Sequence, residues 1–368
     1  MLRYARAAHA SIIGRPRLLS LVHFVTFRCD ASCAHCFLER QGPSRTSQQL
    51  SLSEVETIAD RLGGALVNVN ITGGEPFLSD DLWPICRAYY QRAGVRSVYI
   101  TTHGGFPERV EALVRSFLAL GMERQLFLSI SIDGLFSEHD RLRGRQGLFD
   151  RAMDSYGRVA AIADPRVGVG VSITVSEHNF RGVTGLFHAL REELGVEVVT
   201  ATLRRAQGAA GALPSELRAR VGQAYSELTS QMERHRRGTP RRGARRSVLA
   251  RLQDAKDEVL YAMLRQDALS GSRYRSPCPA GGLFAVLHPD GEVSCCEVLT
   301  DGRLGNLRDH GLDMGALLQA EEARTLRRRI LLGRCHCTYE CALGINIVTH
   351  LRYLPRLALA GVSGAWDG

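Results

Sequence analysis

The chain has 368 residues, 45% hydrophobic and 23% charged, the make-up of a globular protein that buries a large core in one big domain and one smaller one. No stretch approaches the about 18–20 uncharged apolar residues of a membrane span, and no apolar segment with a small-residue cleavage site follows the basic residues at the N-terminus, so the expected location is the cytoplasm. The net charge of +9 is concentrated in Arg234, His235, Arg236, Arg237, Arg241, Arg242, Arg245 and Arg246, a run that suits peripheral contact with phosphates, anionic lipid heads or acidic peptides, or simply solvent. No aromatic residue interleaves it, so it points to no specific nucleic-acid partner.

In chain order, residues 1–18 read as a basic arm. Apolar, β-branched runs follow at 19–27, 65–71, 97–101, 126–132, 167–175 and 196–203, separated by helical patterns at 53–62, 80–93, 107–120, 148–163 and 179–194. The first helix carries a Ser53-x-x-Glu56 box of the kind that caps an N-terminus. Strand–helix alternation of this kind predicts a parallel sheet with helical crossovers, its strands nearly all apolar. Residues 19–211 form that domain. Residues 212–272 read as two helices flanking the arginine-rich loop. Residues 273–345 read as a small cysteine-rich α+β domain, with strands at 283–287 and 292–296 and a helix around 312–330. The apolar tail, 346–368, is interrupted by Pro355 and reads as a packing helix pair.

Ten cysteines in a chain with no export signal argue for metal ligation over a disulfide framework. Cys86, in helical register with Leu82, Ile85 and Tyr89, reads as core. Cys29, Cys33 and Cys36, spaced C-x3-C-x2-C, directly follow the first apolar run. Three thiolates on one tight loop can hold three corners of a 4Fe–4S cluster and leave one iron open. The bland alternatives are a zinc site with His35 as fourth ligand, or structural cysteines.

The other strand ends carry motifs too, at the end of the sheet where chemistry collects in folds of this kind. The second strand ends in Thr72-Gly73-Gly74-Glu75-Pro76, whose glycines let main chain approach a ligand and whose Glu75 offers an acceptor for an ammonium. The third ends in Thr102-His103-Gly104, the fourth carries Ser131 and Asp133 on one face, and the sixth ends in Arg204-Arg205.

The cysteine triplet and the Gly-Gly-Glu-Pro turn resemble the signatures of the radical S-adenosylmethionine (radical SAM) superfamily. The resemblance covers residues 19–210. It implies a partial (β/α)6, TIM-like barrel of parallel strands, a catalytic 4Fe–4S cluster on Cys29, Cys33 and Cys36, and S-adenosyl-L-methionine as cofactor. It also implies contacts to that cofactor from Gly73, Gly74, Glu75, Ser131, Asp133 and Arg204 (or Arg205), with a surface ion pair as the alternative for the arginines. The family's first step is reductive cleavage of the cofactor to a 5′-deoxyadenosyl radical that abstracts hydrogen from the substrate, with electrons from a donor such as flavodoxin or ferredoxin. His103 departs from the asparagine common at its place and receives no role, and no catalytic side chain is assigned.

Cys278, Gly291 and Cys296, spaced C-x12-G-x4-C, together with Cys335, Cys337 and Cys341, resemble the SPASM and Twitch auxiliary-cluster domains of the same superfamily. That implies one auxiliary 4Fe–4S cluster on Cys278, Cys296 and two or three of Cys335, Cys337 and Cys341. Zinc is the alternative. Cys295, expected on the opposite strand face from Cys296, is the spare. The short N-terminal arm and the arginine-rich run lean toward a small-molecule substrate (a sugar, an aminoglycoside-like or a lipid-linked intermediate) that is oxidised or rearranged. A peptide to be modified is the second reading, and a non-catalytic iron–sulfur protein the third.

Overall fold

The computed structural model describes residues 16–38, 48–64, 66–205, 212–238 and 248–362. Six strands alternate with helices: β1 Ser20–Phe24, α1 Leu52–Leu62, β2 Asn68–Thr72, α2 Leu82–Gln91, β3 Ser97–Thr102, α3 Pro107–Ala119, β4 Gln125–Ser131, α4 Phe136–Arg143, α5 Leu148–Ala160, β5 Val167–Val175, α6 Val183–His188 and β6 Val199–Leu203. These strands pair in parallel and in sequence order, as a partial barrel requires.

β1 and β6 are shorter than their apolar runs and β2 starts later, whereas β3, β4 and β5 match theirs to within a residue, and the two faces of the strands differ. Leu21, Val69, Ile71, Val98, Ile100, Leu126, Leu128, Ile130, Val171 and Ile173 are buried under the helices. The inner face instead carries Ser20, Asn68, Asn70, Thr101, Ser129, Ser131, Ser172, Thr174, Thr200 and Thr202, which line a large cavity. The expectation of strands apolar on both faces is therefore corrected: only the helix-facing side must be apolar, because the lumen is not filled by core.

The first helix is capped by Ser51, not Ser53: the Ser51 hydroxyl accepts from Glu54 N–H, and the Glu54 carboxylate accepts from Ser51 N–H at 2.8 Å. The correct box lies two residues upstream of the one expected. Helix α4 was not foreseen, since it buries only His139, Leu142 and Arg143 and has no apolar stripe to reveal it. The pattern at 179–194 resolves into α6 followed by a π-helical turn at Ala189–Glu193.

Two long helices, α7 Ser215–Gly238 and α8 Val248–Ser270, follow and pack on each other. Arg241, Arg242, Arg245 and Arg246, Gly208 and Gly211 at the end of the sixth unit, Ala65 and residues 1–15 of the expected arm lie outside the described residues.

The cysteine-rich region contains β7 Phe284–Leu287, β8 Glu292–Ser294, β9 Arg303–Asn306, α9 Met314–Gln319, α10 Glu321–Leu332, α11 Glu340–Thr349 and α12 Leu354–Val362. The helix expected around 312–330 breaks at Ala320, which is extended (φ −60°, ψ 153°). Pro355 lies in the first turn of α12, where its missing N–H costs nothing. Strand β7 pairs in parallel with β1, Leu21 opposite Ala285, and β8 and β9 extend that edge in antiparallel fashion. The sheet is thus a single nine-stranded one, with β1 as the seam between barrel and cysteine-rich region.

Candidate active site

The loop after β1 is held by the turn after β2. Gly74 N–H donates to Thr26 O and Glu75 N–H to Arg28 O, both at 2.8 Å. This approach needs glycine. Gly73 has φ +144°, and a Cβ on Gly73 or Gly74 would collide with the carbonyl oxygen of Thr26 or Arg28 respectively. The two glycines therefore serve first to let one loop lie against another. The Glu75 carboxylate, fully buried, accepts from Phe77 N–H (3.0 Å), Thr102 O–H (2.7 Å) and His103 N–H (2.9 Å), tying the ends of β2 and β3 together at the cavity wall.

Cys29, Cys33 and Cys36 all line the cavity; Cys29 is exposed and the other two are half-buried. Although the residue as a whole is exposed, partial desolvation of its sulfur, with Cys33, Glu75 and Asp30 near it, pushes the Cys29 thiol up to about 11. Next to it, Asp30 receives Arg145 at 2.8 Å and His103 Nε2 at 2.8 Å. His103 Nδ1 accepts from Gly105 N–H at 3.0 Å, so the ring proton sits on Nε2 and is given to Asp30.

Asp133 and Ser131 part company. Ser131 lines the cavity, whereas Asp133 is 1% exposed and turns to Arg143 (2.6 Å), His35 (3.4 Å) and Thr174 N–H (2.8 Å). Burial alone would raise its carboxyl; the Arg143 guanidinium and His35 outweigh that and hold it below the usual range. Arg143 also reaches Cys33, Nη1 to Sγ, at 3.7 Å.

The Arg204 side chain is buried against Glu177 at 2.9 Å and does not line the cavity. Its neighbour Arg205 faces the cavity instead, ion-paired with Glu297 and lying 4.3 Å from the Tyr339 ring centre and 4.9 Å from that of Phe37. Strand β6 ends at Leu203, just before both arginines, and their contacts differ: it is the second that faces the lumen.

The C-terminal cysteines gather from three segments. Cys335 lies beside Cys278, and the hydrogen bond between the two thiols raises Cys278 and lowers Cys335. Cys295 and Cys296 are both buried with Sγ atoms 4.0 Å apart, and the hydrogen bond from Cys295 lowers the Cys296 thiol. Strand β8 ends at Ser294, so the alternation expected to separate these two does not apply. Main-chain N–H groups point at sulfur twice, Leu299 at Cys296 and Tyr339 at Cys337, each at 3.4 Å. Cys341 stands apart: it lines the cavity near Arg205 and Glu340.

Both donor sets suit iron–sulfur ligation. The first offers three thiols, a free side facing the cavity and a guanidinium on one sulfur. The second offers a sulfur-rich pocket with amide donors. Arg143, Arg145 and Asp30 were missed as site residues, since charged residues at loop ends look like surface until the fold buries them. The Arg143-Gly144 pair, ten residues after Asp133, was the available signal.

Residues 24–175 match the Radical SAM superfamily model. Among curated proteins the chain is 28% identical to the Fe-coproporphyrin III synthase of Methanosarcina barkeri, over 52% of this chain and 47% of that protein. It is 32% identical to a probable GTP 3′,8-cyclase of Methanothermobacter marburgensis, over 41% and 47%. It is 27% identical to the antilisterial bacteriocin subtilosin biosynthesis protein AlbA of Bacillus subtilis, over 48% and 38%. The chain thus spans about half the length, or less, of these relatives. Among solved structures, anSMEcpe with bound AdoMet superposes with a TM-score of 0.60 at 15% identity, over 94% of this chain and 95% of that one. Streptococcus suis SuiB bound to precursor peptide SuiA gives 0.57 at 13%, over 89% and 70%. At these identities the likeness is one of fold. The cysteine loop on β1, the glycine turn that clamps it and the family match agree: residues 24–175 are a radical SAM domain, of a superfamily whose members use a 4Fe–4S cluster and S-adenosylmethionine, and a cysteine-rich C-terminal region follows it.

Proposed function

We propose that this protein is a radical SAM oxidoreductase acting on an extended polar substrate, a peptide segment, and that it holds two 4Fe–4S clusters. Cys29, Cys33 and Cys36 would hold the first and Cys278, Cys296, Cys335 and Cys337 the second, with Cys341 left on the cavity wall. When bound, the first cluster and S-adenosylmethionine supply hydrogen-atom abstraction; the protein must place the substrate carbon and exclude water.

The observation that carries the substrate reading is the cavity. Its volume of about 2210 Å³, which must also hold the first cluster and the cofactor, is well beyond the about 300–1,000 Å³ of small-molecule sites. Its wall offers hydroxyls and amides, Ser20, Asn68, Asn70, Ser129 and Ser172, which match the donors and acceptors of a peptide backbone. Tyr99 and Phe127, ring centres 5.8 Å apart, give one stretch of that wall an aromatic surface for a side chain. This departs from the small-molecule lean of the sequence. The bacteriocin-biosynthesis relative and the fold shared with a precursor-peptide complex support it.

The test is transfer of deuterium into 5′-deoxyadenosine from labelled candidates, short peptides against sugars and nucleotides. Label arriving from a sugar or nucleotide and from no peptide would overturn the substrate reading. Anaerobic reconstitution should give about eight irons and eight sulfides per chain. About four irons with bound zinc would remove the second cluster.

A further inference from the structure

Helix α4 ends against the cysteine loop. The carbonyls of Leu142 and Arg143 accept from Ala34 N–H (3.1 Å) and Ser32 N–H (2.8 Å), so the last turn of the helix grips the loop between Cys29 and Cys36. Gly144, with φ +62°, lies so close that a Cβ there would strike the Ser32 side chain. Through this contact the Arg143 side chain, only 10% exposed, is brought beneath Cys33. One arm of its fork donates to Cys33 Sγ at 3.7 Å and the other meets Asp133 at 2.6 Å. Asp133 is itself fixed by Thr174 N–H at 2.8 Å, while its main-chain carbonyl accepts from Asn179 at 3.0 Å.

A buried guanidinium on a ligand sulfur has an electrical consequence. Adding one electron to a cluster makes it more negative, and a cationic donor on its sulfur stabilises that form more than the oxidised one. Low dielectric around the pair strengthens the effect. We infer that Arg143 is a positioning residue that raises the reduction potential of a cluster held by Cys29, Cys33 and Cys36, with Asp133 aiming the guanidinium and partly cancelling its charge. The inference rests on the proposed cluster ligation of this loop. It gives Asp133 a place behind the sulfurs, outside the cavity.

A merely structural pair and an electrostatic one predict different things. If Arg143 and Asp133 only brace the loop, removing either should disturb the cluster in the same way. If the charge acts on the sulfur, the two removals should move the potential in opposite directions. The experiment is a potentiometric titration of the full-length reconstituted protein by EPR, following the signal that changes on addition of S-adenosylmethionine. Arg143→Met should shift the reduction equilibrium at least tenfold toward the oxidised cluster, about 59 mV more negative for one electron. Asp133→Asn should shift it the other way. Arg143→Lys, which keeps the charge but cannot serve both partners, should fall between wild type and Arg143→Met.

Shifts of the same sign in Arg143→Met and Asp133→Asn, or an unmoved potential in Arg143→Met, would overturn the inference. Should Arg143→Met fail to assemble a cluster, Arg143→Lys and Asp133→Asn carry the same test: opposite shifts support the inference and like shifts overturn it. A wild-type protein with no S-adenosylmethionine-responsive signal would sink the cluster reading itself, a result distinct from an intact signal whose potential does not move.

Discussion

The two cysteine sites are built in opposite ways. The first comes from one short loop, Cys29 to Cys36, whose shape is imposed from outside by the β2 turn and the end of α4. The second comes from three separate stretches, at Cys278, Cys295–Cys296 and Cys335–Cys337, which meet only because β7 and β8 have joined the sheet. The first faces the cavity; the second lies partly within the core. A site that must admit a cofactor can be local and open, whereas one that closes on its metal needs the finished fold. The following outcomes would break or sharpen that contrast.

The largest effect belongs to the clamp on the first loop. Gly74→Ala places a Cβ into the Arg28 carbonyl and should displace the loop. Iron should fall from about eight to about four per chain with loss of all 5′-deoxyadenosine. Full iron and normal product from this variant would show that the loop shapes itself.

Next come the proposed ligands of the second site. Cys278→Ser or Cys337→Ser should also remove about four irons yet leave the S-adenosylmethionine-responsive signal in place. Cys341→Ser should keep all of them. Loss of iron in the Cys341 variant would return that residue to the ligand set.

A third outcome concerns the contact between the sites. Arg205 lies between the Phe37 ring, one residue after Cys36, and the Tyr339 ring, two after Cys337, and it neutralises the mostly buried Glu297. Arg205→Met leaves Glu297 without its cation and should cost about 3 kcal/mol, read from denaturant unfolding. Glu297→Gln in the same background should recover part of it.

What the sequence made legible follows from how far each feature reaches along the chain. The Cys29–Cys36 loop and the Thr72–Pro76 turn are contiguous, and six alternating units read as a parallel sheet because periodicity is local. The polar inner faces were present as Asn68, Asn70, Ser129 and Thr200, but which face meets helices is decided only when the sheet curves. The pairing of β7 with β1 joins residues more than 250 apart, beyond any local pattern. Arg204 and Arg205 differ only in the partners they meet past the end of β6, Glu177 and Glu297, and the side of Cys295 depends on where β8 stops. Arg143 and Asp133 are an ordinary helix arginine and strand-end aspartate until burial makes them a pair.

The smallest effect tests whether the two regions share one cooperative unit. His23 lies on the seam strand, opposite Ile71 of β2 and Leu287 of β7, and its Nδ1 meets the Tyr89 hydroxyl at 2.9 Å. Burial, helped by His288, lowers its pKa to about 3, so the folded state holds it neutral. A histidine whose folded pKa lies below its unfolded value stabilises the fold fully above about pH 6.5 and loses that contribution as pH falls toward the folded pKa. Between pH 6.5 and 5 the loss should be about 2 kcal/mol. His139, lowered to about 4 by burial and by Arg143, acts in the same direction from the barrel side. Calorimetry should show one transition whose Tm falls over this window, with a shallower fall in His23→Gln. Because β1 hydrogen-bonds to both neighbours, acid strain at His23 should melt barrel and cysteine-rich region together. Two separated transitions would mean that the second site sits on a unit that folds by itself, and that the shared sheet does not couple them.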